Sequence, residues 1–191
     1  MRLVLLPFLH LTLVCASYIV KIEWVQVFVH HKQGNLTLQH EFQDEEESWP
    51  SEFNSTFAED MVAKHNEKRK LHGAQMLTWN KTVFEYAAEY ASKYDCSGQL
   101  KHLGGSYGEN LAIGYTSNGT IDAWYDEGKN YQYGTESTYN HFTALIWNST
   151  CNVGCAYKYC NEVWHTYIIC SYYPAGNVVG QSKENVLPPI N

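Results

Sequence analysis

Nine histidines, six cysteines, five Asn-x-Ser/Thr triplets and one tyrosine-rich stretch are the parts of this sequence that can carry chemistry. Neutral imidazoles are common ligands of divalent zinc, each needing its other ring nitrogen oriented by a carboxylate or carbonyl. Zinc hydrolysis asks for more, usually three protein ligands and a water. No His-Glu-x-x-His pair supplies two ligands and a base from one helix face. No serine is read as a nucleophile on a strand-to-helix elbow. The stretch Asn130-Tyr-Gln-Tyr-Gly-Thr-Glu-Ser-Thr-Tyr139 is either a solvated loop or a surface whose aromatic faces are used.

These groups need a compartment and a scaffold. Met1 and Arg2 precede an apolar run from Leu3 to Val14 and small residues at Cys15 and Ala16, the three parts of a secretory leader. Residues 1–16 are therefore expected to be a cleaved signal peptide. Pro7 and His10 interrupt the run, and Lys21 and Glu23 end it before the roughly 20 apolar residues of a membrane-spanning helix are reached. Sequons at Asn35, Asn54, Asn80, Asn118 and Asn148 agree with export and, if glycosylated, lie at the surface. Cleavage removes Cys15, leaving Cys96, Cys151, Cys155, Cys160 and Cys170 in an oxidising compartment. Their connectivity does not follow from their number.

Residues 19–29 partly alternate and are rich in β-branched side chains, as in a strand. Residues 41–52 hold six acidic groups and no basic one, so 17–55 is read as an acidic extension or pro-segment. Thr56-Phe-Ala-Glu59 has the form of a capping box and predicts a helix from Thr56 that stops before Gly73. Three- and four-residue spacing of Val83, Ala87, Tyr90, Ala91 and Tyr94 predicts a second helix over 82–94. A third opens near Thr120 with Ile121, Trp124 and Tyr125. A fourth opens at Asn140 with Phe142, Leu145 and Ile146 on its apolar side. Strands follow over 153–159 and 163–172, and 181–191 is read as a tail. Helices flanking strands predict an α/β sandwich over 56–180.

The 191 residues carry a net charge of −7, with 45% hydrophobic and 15% aromatic residues. That composition buries a core and excludes a disordered chain. An acidic chain also lacks the phosphate-neutralising excess of Lys and Arg that nucleic-acid binding needs. Residues 17–56 have a net charge of −5 and 57–191 of −3, so the body is nearly neutral.

Two segments are specific enough to suggest a family. Asn140-His-Phe-Thr-Ala-Leu-Ile-Trp-Asn-Ser-Thr150 and Tyr167-Ile-Ile-Cys-Ser-Tyr-Tyr-Pro-Ala-Gly-Asn-Val178 resemble the two signatures of the CAP superfamily of cysteine-rich secretory, antigen-five and pathogenesis-related proteins. His65-Asn66 with Arg69, Gly104-Gly-Ser-Tyr-Gly-Glu-Asn-Leu111, Trp124-Tyr-Asp-Glu127 and Val153-Gly-Cys155 match in the same order. Asn140 departs from the usual Gly or charged residue. Asp95-Cys-Ser-Gly98 and Pro174-Ala-Gly-Asn177 look most like the fungal secreted, sterol-binding branch.

The resemblance implies a three-layer α-β-α sandwich with a cleft holding a tetrad of His102, Glu109, Glu127 and His141. His102 and His141 would hold a divalent ion such as Zn or Mg, and no catalysis is expected. It implies disulfides Cys96–Cys160 and Cys155–Cys170. Cys151 is then left either as a buried or capped thiol or as the link of a disulfide dimer. By position the aromatic loop of the branch maps Tyr131, Tyr133 and Tyr139 to sterol contact, although one residue is inserted before Tyr139. Fatty acids are implied for a separate groove between the first and fourth helices. The expected protein is thus a secreted carrier of sterols or their acetates and of fatty acids. An effector or defence protein acting through a protein partner is the alternative, and a tetrad hydrolase is the third reading.

Overall fold

Asparagine starts three of the helices. A short side-chain carbonyl placed before a helix accepts one of the backbone N–H groups that have no intrahelical partner, which stabilises by about 1 kcal/mol. Asn54 does this for α1 (Ser55–Leu71), Asn80 for α2 (Lys81–Lys93) and Asn140 for α4 (His141–Ile146). Thr116 starts α3 (Ser117–Asp126) in the same way. The cap expected at Thr56 therefore lies at Asn54, whose Oδ1 accepts from the Phe57 backbone at 3.0 Å.

The structure, a computed structural model, describes residues 53–136 and 138–190 in full. It also describes the backbone of two strands, β1 (Leu3–Pro7) and β2 (Trp24–Phe28), in a first unit spanning 1–48. These pair antiparallel, Leu3 opposite Phe28, and β2 falls within the stretch read as a strand. The remainder of the leader and acidic extension, with Asn35, lies outside the described residues.

The second unit is built on a four-stranded sheet in the order β3-β5-β6-β4. β3 (Thr78–Trp79) runs parallel to β5 (Asn152–Asn161); β6 (His165–Tyr173) and β4 (Gly108–Ile113) complete it antiparallel. β6 alternates between two cores, because successive side chains leave opposite faces. Ile168, Cys170 and Tyr172 join Met61, Ile121, Phe142 and Trp147 beneath α1, α3 and α4. Tyr167 and Ile169 join Phe84, Ala87 and Ala91 beneath α2. A sheet buried on both faces between helices is the expected three-layer sandwich. At Gly154 any Cβ would overlap the first turn of α2, so only glycine lets that helix lie on β5.

The bridges Cys96–Cys160 and Cys155–Cys170 are both formed. Cys151, read as a buried or capped thiol or as the link of a disulfide dimer, is disulfide-bonded, and none of the described cysteines is free.

Of the stretch 181–191, read as a tail, residues 181–190 are described. α5 (Ser182–Asn185) and Val186 bury Ser182, Asn185 and Val186. Backbone bonds tie Asn148 to Asn185 and Ile190 to Leu71.

Candidate functional site

The four tetrad residues meet in one cleft of about 600 Å³, rimmed also by Tyr107, Tyr139 and Asn177. They come as two His–carboxylate pairs. His102, in the loop before β4, puts Nδ1 2.6 Å from Oε1 of Glu109 on β4. His141, the first residue of α4, puts Nδ1 2.6 Å from Oε1 of Glu127, and its backbone N–H donates to Oε2 at 3.0 Å. Glu127 stands at the junction of α3 with a 3-10 turn over Glu127–Asn130.

A carboxylate only accepts, so each Nδ1 carries a proton and the Nε2 of each ring is left free of the carboxylate. That is how metal-bound imidazoles are oriented. The Trp124 ring stacks on His141 at 5.8 Å and fixes its plane. Two imidazoles so paired are a donor set for a divalent ion, which would take water at its other positions. They fall short of the three protein ligands usual for catalytic zinc.

The frame beneath is buried and polar. His65 of α1 donates from Nδ1 to the Met61 carbonyl at 2.7 Å, and its Nε2 lies 2.8 Å from the Tyr172 hydroxyl. Burial pushes the imidazole down to about 4, helped by the Arg69 charge, and pushes the Tyr172 phenol up. Asn110 donates to Tyr172 and to the carbonyl of His141, linking this network to the tetrad. Arg69, fully buried, donates to the carbonyls of Gln75, Leu145 and Thr150, joining α1 to the end of α4. Burial lowers its pKa to about 10.

The tyrosines divide. Tyr131 is buried, edge-on to Tyr133 at 5.1 Å and tilted against Phe142 at 5.6 Å. Tyr133 is half-buried and reaches His72. Tyr139 stands on the cleft rim, donating to Glu136 at 2.6 Å and accepting from the Gly180 N–H at 3.1 Å. Tyr131 and Tyr133 are therefore together, whereas Tyr139 belongs to the cleft. An apolar pocket of about 330 Å³ lies between α1, α2 and β5, lined by Phe57, Trp79, Phe84 and Tyr157 among others. The groove expected from the resemblance lay between α1 and α4.

Sequence reasoning missed His72, which matched no motif. Its Nδ1 donates to the Leu187 carbonyl and its Nε2 lies 2.9 Å from the Tyr125 hydroxyl, so it fastens the end of α1 to the C-terminal segment. Its position just before Gly73 is only a helix-stop signal in the sequence. Gly104-Gly-Ser-Tyr-Gly108 does spell Gly-x-Ser-x-Gly, but exposed Ser106 leads into strand β4 rather than from a strand into a helix, so no elbow forms. Among the described residues one trio, His65, Cys155 and Cys170, gathers ligand atoms within 4.8 Å of one another. Both its sulfurs are joined in a disulfide, which denies a metal the thiolates it would need. Of the described sequons, Asn54 and Asn118 are exposed and Asn80 and Asn148 half-buried.

The sandwich and paired tetrad define a class. Residues 62–172 match the CAP family, described as the cysteine-rich secretory protein family. The chain belongs to that family. It is 46% identical to a probable pathogenesis-related protein of Candida albicans, over 98% of this chain and 96% of that protein. It is 50% identical to protein PRY2 of Saccharomyces cerevisiae over 69% of this chain, but that match spans only 41% of the yeast protein. Another relative, 49% identical over 70% of this chain and 41% of its own length, is named secreted protein RBT4, from Candida albicans. Among solved structures it resembles the Schistosoma mansoni venom allergen-like protein 4, with a TM-score of 0.58 at 21% identity over 72% of this chain and 97% of that one. The structure of NaASP2 with Zn2+ gives 0.59 at 18% identity, over 75% and 92%. At those identities the likeness concerns the fold. Among the described residues no helix is long and apolar enough to cross a membrane.

Proposed function

We propose that the chain is a secreted, non-catalytic carrier of sterols or similar small lipids, with fatty acids as further cargo, whose His102/His141 cleft takes up a divalent ion. The observation that carries it is the cluster of the Tyr131, Tyr133 and Phe142 rings, two of them from the aromatic stretch. Flat rings around a few hydroxyls suit a rigid apolar molecule with one polar end. One structural neighbour, NaASP2, was solved with Zn2+, which supports a metal-binding cleft, and the relatives' names support secretion. Residues 1–16 serve as the leader, and Asn35, Asn54, Asn80, Asn118 and Asn148 as glycan acceptors. Saturable binding of radiolabelled cholesterol by the purified secreted protein, with and without chelator, tests ligand class and metal dependence together. No uptake at micromolar protein, in either condition, refutes the carrier.

The second reading is an effector acting on a protein partner. It draws on the name pathogenesis-related and on the exposed Val163 and Trp164 at the turn between β5 and β6. Saturable capture of a host protein that survives Tyr133→Ala would favour it.

A further inference from the structure

Asn54 carries two roles on one side chain. Its Oδ1 caps α1, accepting from the Phe57 backbone at 3.0 Å, and its Nδ2 is the glycan attachment point of the sequon Asn54-Ser-Thr56. Glycosylation replaces one hydrogen on Nδ2 and leaves the carbonyl oxygen, so the cap survives the modification. The cap also fixes where a glycan begins, because the held oxygen sets the direction of the whole amide. Nδ2 lies 3.3 Å from the hydroxyl of Tyr157 on β5. The first sugar therefore starts beside that ring.

A cleft of about 340 Å³ opens at this point, between the start of α1, the loop before α3 and strands β5 and β6, and Asn54 is part of its wall. That size is near the lower end of the range that holds a small molecule. Phe57, Tyr115 and Tyr157 supply rings to the cleft, and Asp60, Thr116 and Thr166 supply oxygens. Tyr157 packs on Phe57 at 4.7 Å, and Tyr115 and Tyr157 stay 49% and 43% exposed, so ring surface is left open to a further partner. A pyranose has a face of C–H groups and a rim of hydroxyls. The first packs on the electron-rich face of an aromatic ring, and the second pairs with side-chain oxygens. Rings interleaved with oxygens suit a sugar, and the Asn54 sequon delivers one to the edge of the cleft.

Building on the reading of Asn54 as a glycan acceptor, we propose that this cleft seats the first N-acetylglucosamine of the Asn54 glycan. The sugar packs on Tyr157 and Tyr115 and braces the start of α1 against β5 and the loop before α3. The sugars beyond it extend into solvent.

The test uses the full-length secreted protein, with glycopeptide mass spectrometry to read occupancy and thermal unfolding to read the brace. Asn54→Asp keeps the cap and loses the glycan; Asn80→Asp makes the same change at the other capping sequon. Asn54→Asp should melt about 3 °C below wild type, the worth of one aromatic contact, and Asn80→Asp within about 1 °C of it. Trimming with endoglycosidase H, which leaves the first sugar attached, should preserve the wild-type midpoint. Tyr157→Ser should abolish the effect of Asn54→Asp, whereas Tyr157→Phe, which keeps the ring and removes only the oxygen that Nδ2 bonds, should retain it. Tyr115→Ser provides the same comparison if Tyr157→Ser folds poorly. An unoccupied Asn54 would overturn the acceptor reading at this position and the seat with it. An occupied Asn54 with equal midpoints for wild type and Asn54→Asp, with equal losses at Asn54 and Asn80, or with a loss that persists without the rings would leave the acceptor standing and overturn the seat.

Discussion

Acid should unfold this protein through His65, and the size of the effect follows from its surroundings. The imidazole is wholly buried, and burial, reinforced by Arg69, lowers its pKa from 6.5 to about 4. Between those values the unfolded chain takes up a proton that the folded chain refuses, so stability is full above pH 6.5 and falls as the pH drops towards 4. At 1.36 kcal/mol per unit the loss is about 3 kcal/mol. The geometry gives the reason. His65 already donates from Nδ1 to Met61, and its Nε2 accepts the Tyr172 hydrogen. A proton on Nε2 would force the phenol to turn, away from a pocket where Asn110 donates rather than accepts. Urea unfolding at pH 7, 6, 5 and 4, followed by circular dichroism, should show wild type losing about 3 kcal/mol more than His65→Gln. His72, whose pKa burial also lowers, and the exposed carboxylates act in both proteins and cancel in the comparison. Equal losses in the two proteins, within about 0.5 kcal/mol, would refute the reasoning.

Arg69→Met strands three carbonyls while relieving the cost of a buried charge, so a net loss of about 3–5 kcal/mol is expected, with a fall of roughly 10 °C in the thermal midpoint. Removing the Cys96–Cys160 bridge as a double serine variant opens a loop of sequence separation 64 and should cost about 4 kcal/mol in denaturant titration. Isothermal titration with Zn2+ should find binding lost in His141→Ala and weakened about 10- to 100-fold in Glu127→Gln, whose amide no longer orients the ring by charge. Asn80→Asp should remove one glycan in a deglycosylation gel shift while keeping the α2 cap, whereas Asn80→Ala should also lose about 1 kcal/mol.

The layers of the fold were legible because their causes are local. The helical spacing of Val83, Ala87 and Ala91 is a property of one face, and the alternation along 167–172 is a property of one strand. The caps misled for an equally local reason. Asn54-Ser-Thr56 offers three capping residues in a row, and the Thr56/Glu59 pairing pointed to the last. β4 escaped because Gly108–Ile113 opens with Gly-Glu-Asn, poor strand formers held by pairing with β6. The tetrad could be assigned by likeness to the family, but its pairing, each Nδ1 to its own carboxylate, depends on how β4 and α4 converge. The depth of Tyr131 and the burial of 182–186 were out of reach. Both arise from contacts between separate segments, such as Glu136 with Ser182 and His72 with Leu187, which no periodicity records.

The C-terminal segment has a consequence for how such proteins diversify. Ser182, Val186 and the Leu187 carbonyl touch the aromatic cluster and His72, yet they share no strand with the sheet and fall outside the 62–172 match. Substitutions there can reshape the aromatic cluster while the sheet, the disulfides and the His–carboxylate pairs remain untouched. On the carrier reading, cargo preference would therefore drift faster than the architecture that holds it.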